Sequence, residues 1–258
     1  MRALVCAFHT LRSCIIACLL ACASVESFSA ETITLVAEDN WYPYAALKGG
    51  KITGLAVDVV EAAYAKVGIS VKFISAPYSR CLMLARTGQA LGCFNSTNDV
   101  TLRQQFVFHQ EPLFKAVIGI YATVKAQAEA VRTHDLQGRT VGFTHEYTYG
   151  DEIESDTKIV REVAPSDLSN LRKLLIGRSE YSLIYTRVAD HLQIAYPNEF
   201  KGRIRQVGTV IEDKLFVSFS KIWPDAKRYA QLLDQGLIGI RADGTYKKLE
   251  QKWSTPAP

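Results

Sequence analysis

The stretch "GLAVDVVEAAYAKVGISVKFISAPYSRCLMLARTGQALGCFN", residues 54–95, decides the fold. In its first third, Val57, Val60, Tyr64 and Val67 recur on one face of a helical wheel, and Gly68 suits the position after a helix C-terminus. "VKFIS" (71–75) is short, apolar and β-branched, and reads as a strand. "YSRCLMLARTG" reads as a second helix closed by Gly88, and "LGCFN" (91–95) as a further strand. Upstream, "ITLVAE" (33–38) is a buried strand. This β-α-β-α-β alternation implies an α/β fold, with a mostly parallel sheet flanked by helices. Ligands of such sheets bind beyond the carboxyl ends of the strands, here "EDNWYPY", "APYSR" and "NSTND".

The pattern restarts at "VIGIYAT" (117–123). It continues through a strand in "TVGFTHEYTYGDE", a helix in "LSNLRKLLIGR" and a strand-to-helix passage in "YSLIYTRVADHL". "KLFVSFSK" (214–221) is a last strand before two terminal helices. At 258 residues the chain can build two modest lobes, each with a core. A formal net charge of +4, with no Lys/Arg-rich run, gives no footprint for nucleic acid. No zinc spacing, P-loop, dinucleotide fingerprint or nucleophile elbow is present, so no metal, cofactor or catalytic residue is assigned.

Residues 1–30 differ from the rest: Arg2 and Arg12, the apolar "SCIIACLLACA", then small residues. This is a signal-peptide layout, with cleavage between 23 and 30. The apolar run falls short of the roughly 20 residues a spanning helix needs. Export to the periplasm follows. The alternative is a lipoprotein anchored through Cys22. Cys6, Cys14, Cys18 and Cys22 lie in this leader, leaving Cys81 and Cys93 in the body. Two readings of that pair stay open, a disulfide or two buried small apolar residues, and the balance tips slightly to the second.

"NSTNDVTLRQQF" (95–106) follows a strand and opens a short helix. Ser96, Thr97, Asn98 and the forked guanidinium of Arg103 could form a carboxylate shell on unpartnered helix N–H groups. They equally fit a capping box, Thr101 with Gln104, beside a solvated arginine. Trp41, Tyr42 and Tyr44 at the first strand end could floor a ligand or stack on a cation, or be core aromatics. Tyr78 and Arg80 pose the same choice, and Arg80 at a helix start opposes the dipole. Thr144, His145, Tyr147, Thr148 and Tyr149 in "FTHEYTYGD" are loop hydroxyls facing that region, or a turn.

Together these stretches resemble the bacterial extracellular solute-binding proteins of the polar amino-acid ABC-transporter type, over roughly residues 31–255. "EDNWYPY", "LGCFNSTNDVTLRQQFVFHQEPLF", "DLQGRTVGFTHEYTYG" and the ending "LIGIRADGTYKKLEQKW" carry the likeness by their order. The resemblance implies a type II periplasmic-binding-protein fold of two α/β lobes joined by two strands. Lobe 1 would span 31–121 plus 214–258 and lobe 2 125–210, with hinges near 122–124 and 211–213. It implies a monomer that captures an amino acid or small acid by hinge closure and delivers it to an ABC permease, or signals to a membrane receptor. It makes Arg103 the carboxylate clamp, with Ser96 and Asn98 assisting, Trp41 and Tyr78 as aromatic walls and Thr148 as a second donor. Where the family places an aspartate for the ligand ammonium, this chain has Tyr185 and Thr186, and Glu146 replaces a usual glycine. Glu38 or Glu146 is left as the substitute acid. Cyclohexadienyl dehydratases resemble the same scaffold and would need such an acid in the cleft.

Overall fold

The computed structural model describes residues 31–254. The leader and Cys22 lie outside them. The strands are β1 (Glu31–Glu38), β2 (Asn40–Trp41), β3 (Ala45–Lys48), β4 (Lys51–Thr53), β5 (Ile69–Ala76) and β6 (Gly92–Thr97), then β7 (Phe106–Phe108), β8 (Phe114–Thr123), β9 (Thr140–Thr144), β10 (Val160–Ala164), β11 (Tyr181–Tyr185) and β12 (Ile204–Ser220). The helices are α1 (Leu55–Lys66), α2 (Tyr78–Arg86), α3 (Val100–Gln105), α4 (Asp151–Ser155), α5 (Asp167–Leu175), α6 (Thr186–Ala195), α7 (Pro197–Phe200), α8 (Ala226–Ala242) and α9 (Thr245–Ser254). Among these described elements, no helix is long and apolar enough to cross a membrane.

The main sheet runs β10-β9-β11-β8-β12-β6-β1-β5. On one side β1 pairs with β6 in parallel, and on the other β9 pairs with β10 and β11 in parallel. Between them β8 and β12 form a long antiparallel ladder from Ile204↔Thr123 to Leu215↔Phe114. β8 also pairs with β11 from Ile118 to Tyr121, and β12 with β6 from Leu215 to Phe219. Two α/β lobes, each with a mainly parallel sheet, thus share two through-running strands.

The expected strand at 214–221 is only the end of a 17-residue strand, because its first part is held by the β8 ladder. The Thr101–Gln104 capping box is also corrected. The cap of α3 is Asp99, whose side chain accepts from the Leu102 N–H at 2.9 Å.

α1 buries Leu55, Val57, Val59, Val60, Ala63 and Tyr64, and it packs on α8. Gly236 permits that approach, since a Cβ there would lie 2.0 Å from the Ala63 carbonyl oxygen. α9 docks by Trp253, whose Nε1 donates to Asp58 Oδ2 at 2.7 Å. Cys81 on α2 and Cys93 on β6 are bonded as a disulfide with Cα atoms 5.5 Å apart, so the pairing reading holds and the two-apolar-residue reading does not.

Candidate functional site

Strands that end at the seam between the lobes carry polar and aromatic side chains to one place. Glu38 ends β1 and Trp41 follows it. Tyr78 opens α2 just past β5, Asn95 and Thr97 end β6, and Tyr185 ends β11. Tyr147 and Thr148 lie in the loop after β9. These eight side chains line one small cavity, at the carboxyl strand ends where such sheets bind ligands.

Two hydrogen bonds cross the cavity from lobe to lobe. Tyr147 Oη donates to Glu38 Oε1 at 2.5 Å. Thr97 Oγ1 lies 2.5 Å from Thr148 Oγ1 and 2.6 Å from Asp99 Oδ2. Each hydroxyl has one proton. Thr97 gives its own to the carboxylate, so Thr148 donates to Thr97. The aromatic walls meet edge to face: Trp41 with Tyr185 at 4.9 Å between ring centroids, and Tyr78 with Tyr147 at 5.3 Å.

Buried polar atoms of two lining residues have no protein partner, Trp41 Nε1 and both amide atoms of Asn95; the candidate Asn98 lies outside the lining, its Oδ1 also without one. Buried groups left this way lose about 1–3 kcal/mol each, so an unpaired donor and a whole amide around one cavity point to a ligand. Asn95 holds a left-handed backbone (φ 74°), which its short amide side chain tolerates. Burial lifts the Glu38 carboxyl well above the usual carboxylate range; the Tyr147 hydrogen bond opposes the shift, and the Asp167 and Asp39 charges add to it. Burial likewise raises the Tyr78 and Tyr147 phenols, so both stay neutral.

Of the sequence candidates, Glu38, Trp41, Tyr78, Thr97, Thr148 and Tyr185 line the cavity. Ser96 does not. It is buried behind the wall in a relay from Tyr78 Oη (3.1 Å) through Ser96 and Ser218 (2.9 Å) to the Cys93 carbonyl (2.9 Å). Tyr149 is a core residue whose Oη accepts from the Thr144 N–H at 2.8 Å. Thr186 opens α6 outside the lining. Arg80 is exposed. Arg103 is exposed too, with its guanidinium donating to the Asn98 carbonyl. Tyr147, named above only among the loop hydroxyls, lines the cavity, and so does Asn95, which the sequence did not single out. Glu146, at the usual glycine position, is exposed and left-handed (φ 64°), which is the conformation a glycine there would take freely.

Comparison with known proteins places this geometry. The chain matches the bacterial extracellular solute-binding proteins, family 3, over residues 33–256. The probable amino-acid-binding protein YxeM of Bacillus subtilis (strain 168) is 24% identical over 250 residues, covering 93% of this chain and 91% of its own. An ancestral arginine-binding protein, solved with arginine, superposes with a TM-score of 0.73 at 19% identity, covering 86% of this chain and 97% of that one. A histidine kinase sensor domain with similarity to periplasmic binding proteins gives a TM-score of 0.74 at 19% identity, over 86% and 95% of the two chains.

Proposed function

The chain belongs to the bacterial extracellular solute-binding proteins, family 3, and from that premise we propose that it captures a small carboxylate-bearing solute, an amino acid or a related acid, between its lobes and delivers it to an ABC importer. The carrying observation is the cavity with partnerless Trp41 Nε1 and Asn95 amide, closed by the Thr148–Thr97 and Tyr147–Glu38 bonds between the lobes. Such bonds form only when the lobes come together, so a solute bridging both sides favours the closed form. We place the lobes at about 31–121 plus 214–258 and 125–210, exported to the periplasm. The bend we expect falls where the ladder changes partners. On β12 this lies at Leu215, just past the expected 211–213; on β8 it lies near Val117, ahead of the expected 122–124.

The carboxylate end is assigned to Thr97, Thr148 and Arg103. Arg103, which lies outside the lining, must leave the Asn98 carbonyl to take that role. Thermal unfolding against the twenty amino acids and a set of small organic acids tests this. A specific solute raises Tm by mass action, about 2.7 kcal/mol of stabilisation at a hundredfold excess over Kd. Arg103→Ala is expected to remove most of that rise, and an undiminished rise rejects the clamp.

Two specific observations keep other readings open to test. The likeness to a histidine kinase sensor domain supports a sensor role, which pull-down with a partner receptor instead of a permease would favour. Glu38, its carboxyl pushed up by burial and hydrogen-bonded by Tyr147, is the group a dehydratase-like activity would use. Incubation with prephenate or arogenate is expected to give no turnover.

A further inference from the structure

A second, larger space adjoins the cavity and shares Glu38, Tyr78 and Tyr147 as walls. It adds Asp39, Ser166 and Asp167. Its lining holds three carboxyl groups and no lysine or arginine; its one imidazole, His145, is exposed. We propose that this acidic antechamber is a second subsite, in which Asp167 receives a protonated amine at the end of the solute remote from its carboxylate. The proposal deepens the reading of the cleft as the solute site and rests on it.

Asp167 carries the inference. It is the first residue of α5, after the Ser166 cap, and is only 4% exposed. Its Oδ1 accepts from Thr144 Oγ1 at 2.6 Å, and its Oδ2 is buried with no protein partner. A helix start accounts for an aspartate here. It does not account for a buried carboxylate oxygen left without a donor. The Asp167 charge opposes ionisation of the neighbouring Glu38. An ammonium group would supply N–H donors to Oδ2 and relieve that repulsion. A divalent metal is the poorer occupant: it needs several oxygen ligands, and among the described residues no group of three metal-ligating side chains converges.

Burial pushes the Asp167 carboxyl up to about 6, so protons compete with the ammonium over an accessible range. Titration calorimetry of the wild-type protein and Asp167→Asn with L-lysine and L-norleucine, at pH 8 and pH 5, tests the proposal. Norleucine keeps the carboxylate and chain and lacks the terminal amine. Lysine is expected to bind wild-type at least tenfold more tightly than norleucine at pH 8, and about tenfold more weakly at pH 5 than at pH 8. Asp167→Asn is expected to lose most of both differences. Equal binding of the two probes by wild-type, or a lysine profile unchanged by Asp167→Asn, overturns it. The wild-type comparison stands even if the variant fails to fold. A protein that binds neither probe but binds glutamate keeps the solute-site reading and loses this one. A protein that binds no amino acid or small acid loses both.

Discussion

Replacing Cys81 and Cys93 together with alanine is expected to lower the unfolding free energy by about 3 kcal/mol. The bond closes a loop of 12 residues' separation, and the chain-entropy model assigns roughly that much to a loop of this length. Both side chains are fully buried, so alanine also leaves two small voids, while avoiding the unpaired hydroxyls that serine would bury. Of a typical total of about 5–15 kcal/mol, the loss is large enough to move the denaturant midpoint plainly. The effect reaches the site through particular residues. α2, which the bond ties down, begins with Tyr78, and β6 carries Asn95 and Thr97. Guanidinium titration read by far-UV circular dichroism measures the loss, and a change below about 1 kcal/mol would show that the bond contributes little here.

How far the fold was legible follows from where each element gets its stability. The helices at Leu55–Lys66 and Tyr78–Arg86 and the strand that ends at Glu38 were readable because burial imposes its period on the sequence. β10 was not. Val160 and Val163 are about half exposed, so no alternation marks this edge strand. The first part of β12, "IRQVGTVIED", was missed for a similar reason. Its side chains are mostly polar or exposed, and the β8 backbone ladder is what makes it a strand. At the site, the strand-end rule pointed to the stretches that hold Trp41, Tyr78, Thr97 and Thr148, since it depends only on topology, while Glu38 and Tyr185 were named through the resemblance; all six line the cavity. Asn95 lay in the quoted stretch but gave no signal of its own. Its place in the cavity comes from a left-handed backbone that composition does not announce. Arg103 illustrates the converse: residue type suggested a clamp, while its side chain lies exposed against the Asn98 carbonyl.

Trp41 allows packing and recognition to be separated with two substitutions. The indole is 1% exposed and touches Tyr44 at 4.4 Å, Tyr185 at 4.9 Å and Phe114 at 6.4 Å between ring centroids. Trp41→Ala is therefore expected to cost about 3–5 kcal/mol of stability, from lost burial plus the cavity left behind. It also removes a wall of the site, so weaker binding by that variant alone would say little. Trp41→Phe is the sharper test. It keeps an aromatic wall and deletes Nε1, a buried donor with no protein partner. Losing an unsatisfied donor offsets much of the lost contact area, so stability should change by only about 1 kcal/mol in either direction. If that N–H donates to the solute, the same variant should bind its best amino acid about tenfold more weakly, which is the weight of one hydrogen bond in a dry site. Denaturation and titration calorimetry on the same preparations give both numbers. Near-wild-type stability with weakened binding assigns Nε1 to the ligand. Near-wild-type stability with unchanged binding means that Trp41 serves only as a wall, and leaves the Asn95 amide as the polar group on that side of the cavity with which a solute must pair.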